Sequence, residues 1–356
     1  RIMAYTTIDD GSLYFQSKIW SGNGSAGTSI TNDGNSDLQP DFFWAKVRNH
    51  TYNHIVLDST RGTSKRIIPN ATDAEDTFAG FMNSFDADGF TLNTDVNTNE
   101  SGKTYVAWQW KANGGTTTSF SASGAQLAGT RQSNTTAGFS IITYTGDGNN
   151  NATIPHGLSS AVKFVMIKDR GNITNWYVGH DGTFTTGEIF LNSNSGVSAA
   201  FGPFNKTAPT STNIVLGTDG NVNGSGDSMI CYAFSEVQGY SKFGTYTGNG
   251  SSSDGPFVYT GFKPAFLITK KSSASDHWKI YDNQRDLFND GSLTGMKANS
   301  NDSEADSGTR GIDLLSNGFK IREGDGDTNG VGQDFIYMAF AEHPFVSSEG
   351  VPVTAR

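Results

Sequence analysis

The amino-acid sequence predicts an all-β protein made of three tandem β-sandwich domains of the jelly-roll type. Three observations support this prediction: a turn-rich composition, apolar residues that alternate with a period near two, and an internal repeat. Glycine accounts for 43 of 356 residues, aromatic residues for 12% and charged residues for only 17%. Short aromatic and β-branched runs separated by Gly-, Thr- and Asn-rich turns are typical of sandwiches and barrels.

A turn signature marks the start of each repeat. It reads WSGNGS at 20–25, YTGDGNN at 144–150 and YTGNGSSSDG at 246–255. The second and third copies are offset by 246 − 144 = 102 residues, whereas Lys46 and His54 precede their counterparts by 122 residues. The landmarks that share the 102-residue offset are Tyr144 and Tyr246, Phe164 and Phe266, Lys168 and Lys270, and Trp176 and Trp278.

Each repeat follows the same order of predicted strands. The first strand ends in the aromatic residue of the signature, and the glycine turn and a polar loop follow it. An apolar strand ending in lysine comes next (DFFWAK, KFVMIK, AFLITK), and then a strand that carries Trp or His (NHIVLD, NWYVGH, HWKIYD). Two repeats contain a Gly-Phe strand (DGFTLN, NGFKIR), and each closes on an aromatic strand (YVAWQW, CYAFSE, YMAFAE). Because a single sheet would leave its apolar face in water, we expect two sheets to pack face to face in each repeat.

These landmarks predict three domains and a tail. Residues 113–137 are predicted to form a linker or an extra edge strand of the second domain. Met3 is a candidate natural start, which leaves Arg1 and Ile2 unexplained. The predicted domains are residues 1–115, 116–238 and 239–346, and the C-terminal tail is 347–356.

The charge and the apolar pattern exclude several classes of protein. The net charge of −10, without any cluster of Lys and Arg, argues against nucleic-acid binding. No apolar stretch approaches the ~20 residues that span a bilayer, so we expect no membrane insertion. Cys231 is the only cysteine, so an intrachain disulfide is impossible, and its apolar surroundings predict a buried, inert thiol.

Two motifs resemble catalytic or ligand loops, but their context favours turns. Gly248 and Gly250 resemble a phosphate loop, yet a strand pattern follows them where a phosphate loop needs a helix. GSGDSM at 224–229 resembles a serine-hydrolase motif, yet it also precedes a strand, not the sharp turn into a helix that positions a nucleophile.

The sequence also contains partial calcium-loop motifs and aromatic residues that could form a sugar-stacking platform. EGDGDTNG at 323–330 and DADGF at 86–90 each lack part of a calcium loop. The histidines show no metal-ligand spacing. Trp176 and Trp278, beside Tyr177 and His277, fit either a sugar-stacking platform or a repeated core position, and their fixed register favours the core. We therefore predict no catalytic residues, no metal and no cofactor, and the sequence leaves the binding residues unknown.

The chain resembles a known family along its whole length. The matching stretches include WSGNGSAG at 20–27, LQPDFFWAKVRN at 38–49 and the long third-repeat segment GYSKFGTYTGNGSSSDGPFVYTGFKPAFLITKK at 239–271. They are similar to repeat-built virion structural proteins of marine tailed bacteriophages, whose members are tail-fibre-like or concanavalin/SPRY-like. The resemblance implies concanavalin-like sandwiches and a non-enzymatic fibre, appendage or capsid-decoration subunit at the particle surface, assembled in the host cytoplasm.

The resemblance also implies partners, and alternatives remain open. The expected partners are other virion proteins and further copies of this chain in a homo-oligomer. A carbohydrate-binding adhesin that recognises host-surface glycan is the second hypothesis, and a secreted glycan hydrolase is the third.

Overall fold

The structure is a computed structural model that describes residues 6–199, 202–285, 295–304 and 311–341. The predicted tail and the residues around Met3 lie outside the described residues. Strands hold 42% of the chain and helices 5%, so the all-β prediction is confirmed. Among the described helices, none has the length and apolar character needed to cross a bilayer.

Every repeat forms short strands and one four-residue helix. The first repeat contains β1 (Phe15–Ser21), β2 (Thr28–Ile30), β3 (Phe42–Val47), β4 (Ile55–Asp58), β5 (Gly62–Ile67), β6 (Asp76–Thr77), β7 (Met82–Asp86), β8 (Gly89–Leu92), α1 (Val96–Asn99) and β9 (Thr104–Trp110), after a 3-10 turn at Gly11–Leu13. The second contains β10 (Thr118–Phe120), β11 (Gly129–Asn134), β12 (Phe139–Thr145), β13 (Ala152–Pro155), β14 (Val162–Asp169), β15 (Tyr177–His180), β16 (Ile189–Phe190), β17 (Asn213–Leu216), α2 (Gly220–Asn223) and β18 (Ser228–Ser235). The third contains β19 (Ser241–Thr247), β20 (Phe257–Tyr259), β21 (Pro264–Lys271), β22 (Trp278–Asp282), β23 (Met296–Lys297), β24 (Ile312–Leu315), β25 (Gly318–Ile321), α3 (Gly326–Asn329) and β26 (Asp334–Ala341).

The strands of each repeat pair into one large and one small antiparallel sheet. The large sheets have the orders β1-β9-β3-β4-β5-β6, β10-β11-β12-β18-β14-β15-β16 and β19-β26-β21-β22-β23. The small sheets have the orders β2-β8-β7, β13-β17 and β20-β25-β24. Within the 113–137 segment, β10 and β11 extend the edge of the second large sheet. In each large sheet the closing strand lies between the signature strand and the lysine strand.

Each large sheet is apolar on both faces. In β26, Phe335 and Tyr337 pack toward the small sheet of the third repeat, whereas Ile336, Met338 and Phe340 point the opposite way. Strands β9 and β18 alternate in the same manner. A strand covered on both faces needs apolar residues at successive positions, which explains the unbroken runs that close each repeat.

The second faces of the three large sheets form one shared core. Trp110 of the first repeat packs against Phe234 of the second at 6.0 Å between ring centroids and against Phe340 of the third at 5.5 Å. Phe234 and Phe340 also meet, at 5.7 Å. The three repeats therefore surround a single aromatic cluster, which is packed as closely as the interior of one domain. They are not three separate domains arranged in a row. Three tandem sandwiches were expected from the sequence, and a core shared among them was not.

Equivalent hydrogen bonds join the repeats in a closed cycle. At the start of the strand that follows the lysine strand, or one residue before it, a side-chain ring N–H donates to a backbone carbonyl of the preceding repeat, and the third repeat counts as the one that precedes the first. The three bonds run from Trp176 Nε1 to Ile68 O at 2.9 Å, from Trp278 Nε1 to Phe190 O at 2.8 Å and from His54 Nε2 to Lys297 O at 3.0 Å. The same kind of contact thus joins the first repeat to the second, the second to the third and the third to the first. The three repeats therefore form a closed ring within one chain.

Candidate functional site

The turn signature docks onto the short helix of its own repeat. In the second repeat, a Cβ on Gly146 would lie 2.3 Å from the carbonyl oxygen of Gly224, so only glycine fits there. Gly148 has a φ of +73°, which also favours glycine. Gly22 and Gly248 approach the equivalent carbonyls as closely, at 2.3 and 2.4 Å.

A buried asparagine at the end of each helix holds this loop. Asn223 Oδ1 accepts from the backbone N–H of Asp147 at 3.0 Å, and its Nδ2 donates to the carbonyl of Asn149 at 2.9 Å. Asn99 and Asn329 make the corresponding bonds to their own loops. The loop amides that would cradle a phosphate are thus used internally, and the turn interpretation is confirmed.

An aspartate begins each of these helices and explains one of the calcium-like motifs. Asp325 caps α3 by accepting from the backbone N–H of Asp327, and Asp95 and Asp219 cap α1 and α2 in the same way. The stretch EGDGDTNG therefore forms a capped helical turn. This Asp-x-x-x-Asn motif was not predicted, although its three copies are visible in the sequence as DVNTN, DGNVN and DGDTN.

Both tryptophans weighed as sugar platforms lie in the shared core. Trp176 is 0% exposed and Trp278 is 1% exposed, and each donates its indole N–H across a repeat interface. A buried ring cannot stack on a ligand, so the prediction of a buried core position is confirmed, but both rings lie in the core shared by the repeats and not in the core within each repeat. Cys231 is also buried, and burial raises the pKa of its thiol.

A buried lysine occupies the same position in each repeat. Lys168 Nζ donates to the carbonyls of Asp169 and Asn172 at 2.7 and 2.9 Å and to Thr174 Oγ1 at 3.0 Å. Burial lowers the pKa of Lys168 to about 8, and it does the same for Lys46 and Lys270. With its three donors engaged, the ammonium group ties strand to loop.

Burial also keeps the core histidines neutral. It lowers the pKa of His54 well below the usual value and that of His180 to about 4. His54 accepts from Trp44 Nε1 at its Nδ1 and so carries its proton on Nε2. In the part of the chain that the structure describes, no group of His, Cys, Asp and Glu has the arrangement to hold a metal ion.

The third repeat carries a charged network around α3. Lys279 Nζ lies 2.8 Å from Asp327, and Lys271 Nζ lies 2.5 Å from Asp276. Burial raises the pKa of Glu323 to about 7, although Thr328 Oγ1 donates to its carboxylate at 2.6 Å. Most of these charged groups are engaged in ion pairs. The pair between Lys279 and Asp327 links β22 to α3.

An exposed aromatic pair distinguishes the third repeat from the other two. Phe257 and Tyr259 point outward from β20, an edge strand, and are 45% and 60% exposed. The strand register identifies their counterparts in the other repeats. Val258, the buried residue between the two rings, lies opposite Phe319 in the neighbouring strand. The equivalent cross-strand pairs are Ile154 with Ile214 in the second repeat and Ile30 with Phe90 in the first. The counterparts are Thr153 and Pro155 in the second repeat and Ser29 in the first.

A partly open cavity of about 300 Å³, lined mainly by residues with polar groups, adjoins Tyr259. Its wall includes Glu236 and Lys242, which pair at 2.7 Å, and the exposed Gln238. We call this cavity, with Phe257 and Tyr259, the aromatic surface. It combines exposed rings with hydrogen-bonding groups, as small-molecule sites do. None of its residues was predicted from the sequence as a binding residue.

One comparison with known proteins gives a match. A family model described as a domain of unknown function (DUF7483) matches residues 10–344. No curated protein and no solved structure matches the chain. The single family model thus extends across all three repeats.

Proposed function

The chain belongs to the DUF7483 family, and we propose that this three-repeat block is a non-enzymatic structural protein of a tailed-bacteriophage virion. It serves as a fibre, an appendage or a capsid-decoration subunit at the particle surface and is assembled in the host cytoplasm. The resemblance of its repeats to virion proteins supports the proposal.

We also propose the finer description of the fold. Each large and small sheet pair is one β-sandwich of the jelly-roll or concanavalin-like type, and the three sandwiches follow the boundaries 1–115, 116–238 and 239–346. The separate apolar cluster between the sheets of each repeat supports this description.

The observation that carries the functional proposal is the shared core. Three large sheets that each turn one face toward a common aromatic cluster and cover the other face with a small sheet make a rigid block, which suits a load-bearing particle component. The inner faces are occupied, so other virion proteins and further copies of the chain would bind to outer surfaces and loops.

Immunogold labelling of purified particles tests this proposal. Label on the tail supports a fibre or appendage, and label spread over the capsid supports decoration. Particles that lack the chain both by labelling and by mass spectrometry would contradict a virion role.

The second candidate function is a carbohydrate-binding adhesin, and the aromatic surface favours it. The fold does not require exposed Phe257 and Tyr259, because the equivalent strands pair in the same register with small or polar residues. Adsorption of the purified chain to host cells, competed by host polysaccharide, would support this function. Release of reducing ends from that polysaccharide would contradict the proposal that the protein is not an enzyme.

A further inference from the structure

We propose that the aromatic surface binds a neutral pyranose residue of a surface polysaccharide, with Tyr259 stacked against the sugar ring. This inference rests on the adhesin as the second candidate function and is independent of the chain's place in a particle. It assigns the ligand class and the residues that recognise it.

The exposed rings provide the apolar part of the site. An exposed Phe and Tyr side by side leave apolar area in water, and such area on a surface commonly marks a binding site. A pyranose has one face of C–H groups, which can pack flat on an aromatic ring while its hydroxyls remain at the rim. Phe257 and Tyr259 project from the same face of β20, so a short sugar chain can contact both rings.

The cavity wall provides the polar part of the site. Sugar hydroxyls both donate and accept hydrogen bonds, so recognition needs donors and acceptors together. Glu236 supplies acceptors and Lys242 supplies donors, while the exposed Gln238 supplies both. Within the described part of the chain, the side chains of Gln238 and Tyr259 make no hydrogen bond, so both are available to a ligand.

The charges favour a neutral sugar. Lys242 is paired with Glu236 at 2.7 Å, and Lys320, beside Phe257, is paired with Asp254 at 2.7 Å. Both of these cations already have a carboxylate partner, and the whole chain carries a charge of −10. A uronic or sialic acid would therefore meet paired cations and a repulsive field.

Binding of the full-length chain to an array of defined oligosaccharides tests the proposal. The array carries glucose, galactose, mannose and N-acetylglucosamine oligomers, together with polygalacturonate and sialylated oligosaccharides as acidic probes. Titration calorimetry then measures the dissociation constant of the best neutral oligomer. We expect Tyr259→Ala to weaken binding at least tenfold and Tyr259→Phe to change it less than threefold, because the ring is retained.

Phe78→Ala is the matched control. Phe78 is also an exposed aromatic residue, at 49%, but it lies in the first repeat. We expect this variant to bind like the unchanged protein, and the melting temperature of each variant verifies that it is folded.

Three results would overturn the inference, and they differ in what else they affect. Unchanged neutral-sugar binding by folded Tyr259→Ala would place the site elsewhere and leave the adhesin function standing. Preference for the acidic probes would contradict the neutral-sugar assignment. Failure of the unchanged protein to bind any oligosaccharide at millimolar concentration would reject both the site and the adhesin, while the labelling of particles still tests the virion role.

Discussion

Single buried charges in this protein have consequences that a titration can measure. Each repeat buries a lysine at the equivalent position (Lys46, Lys168 and Lys270) against loop oxygens, and burial lowers the pKa of each to about 8. A lysine pKa of 10.5 in the unfolded chain means that the unfolded state binds more protons between pH 8 and 10.5. The lysine penalty on folding is therefore largest below pH 8 and disappears as the pH rises through this window.

Lys168→Met tests this linkage. The free energy of unfolding of the unchanged protein should rise relative to that of the variant between pH 8 and 10.5, by on the order of 1–2 kcal/mol after allowance for solvent screening. Denaturant titrations at several pH values measure the difference. Ile167→Val, which trims a buried residue beside Lys168 in β14 and removes no titratable group, is the control and should show a constant difference. A constant difference for Lys168→Met as well would contradict the burial of a charged lysine.

Glu323 gives a pH dependence of the opposite sign. Its pKa of about 7 in the folded protein exceeds the value of 4.5 expected in the unfolded chain, so the folded state binds more protons between these values. The free energy of unfolding should therefore fall as the pH rises from 4.5 through 7, because the buried Glu323 carboxyl becomes charged over this range. Glu323→Gln should therefore stabilise the protein at pH 8 by on the order of 1 kcal/mol and leave it nearly unchanged at pH 4.5. Equal effects of the substitution at both pH values, measured by denaturant unfolding, would contradict this.

At the scale of elements, the turn signature is a docking loop as well as a turn. Gly146→Ala would place a Cβ 2.3 Å from the carbonyl oxygen of Gly224, and the helix or the loop would have to move. We expect a loss of about 1–3 kcal/mol in the free energy of unfolding. Gly220→Ala is the control, because its Cβ meets no atom within 4 Å, and it should change stability by less than about 0.5 kcal/mol. Similar losses for the two variants would show that close approach does not explain the glycine.

The strands and the turns could be predicted from the sequence, but the docking of the loops could not. Periodicity and Gly-rich turns identify the strands of each repeat because both are local properties of the chain. The contact between Gly146 and Gly224 joins residues that are 78 positions apart, and no local pattern reveals it. The capped helices were missed because four residues are too few for a helical period to appear.

At the scale of the whole molecule, the shared core makes the three repeats depend on one another. Phe340 lies where rings from all three repeats meet, including Trp110 and Phe234. Phe340→Ala should lower the free energy of unfolding by about 3–5 kcal/mol. We expect the variant to unfold in one transition at a lower denaturant concentration, not in two separate transitions. Fluorescence and circular dichroism followed through the same denaturant titration check this, and transitions that separate would contradict it.

The shared core could have been anticipated only in part. Runs such as YVAWQW are apolar at both odd and even positions, which indicates strands covered on two faces. The sequence does not say what covers the second face, because a neighbouring repeat, a further sheet and another chain would all give the same pattern. The candidate site was hidden for a similar reason, since Phe257 and Tyr259 in FVY resemble ordinary strand residues until register and exposure are known.

Hydrogen exchange of the full-length chain, measured by mass spectrometry in increasing denaturant below the unfolding midpoint, tests the central claim most directly. We expect the closing strands of the three repeats, β9, β18 and β26, to exchange with the same free energy of opening and the same denaturant dependence, because they open only when the shared core opens. Three distinct opening free energies, with one repeat exchanging while the others stay protected, would show that the repeats fold independently and would contradict the single rigid block on which the proposed structural role rests.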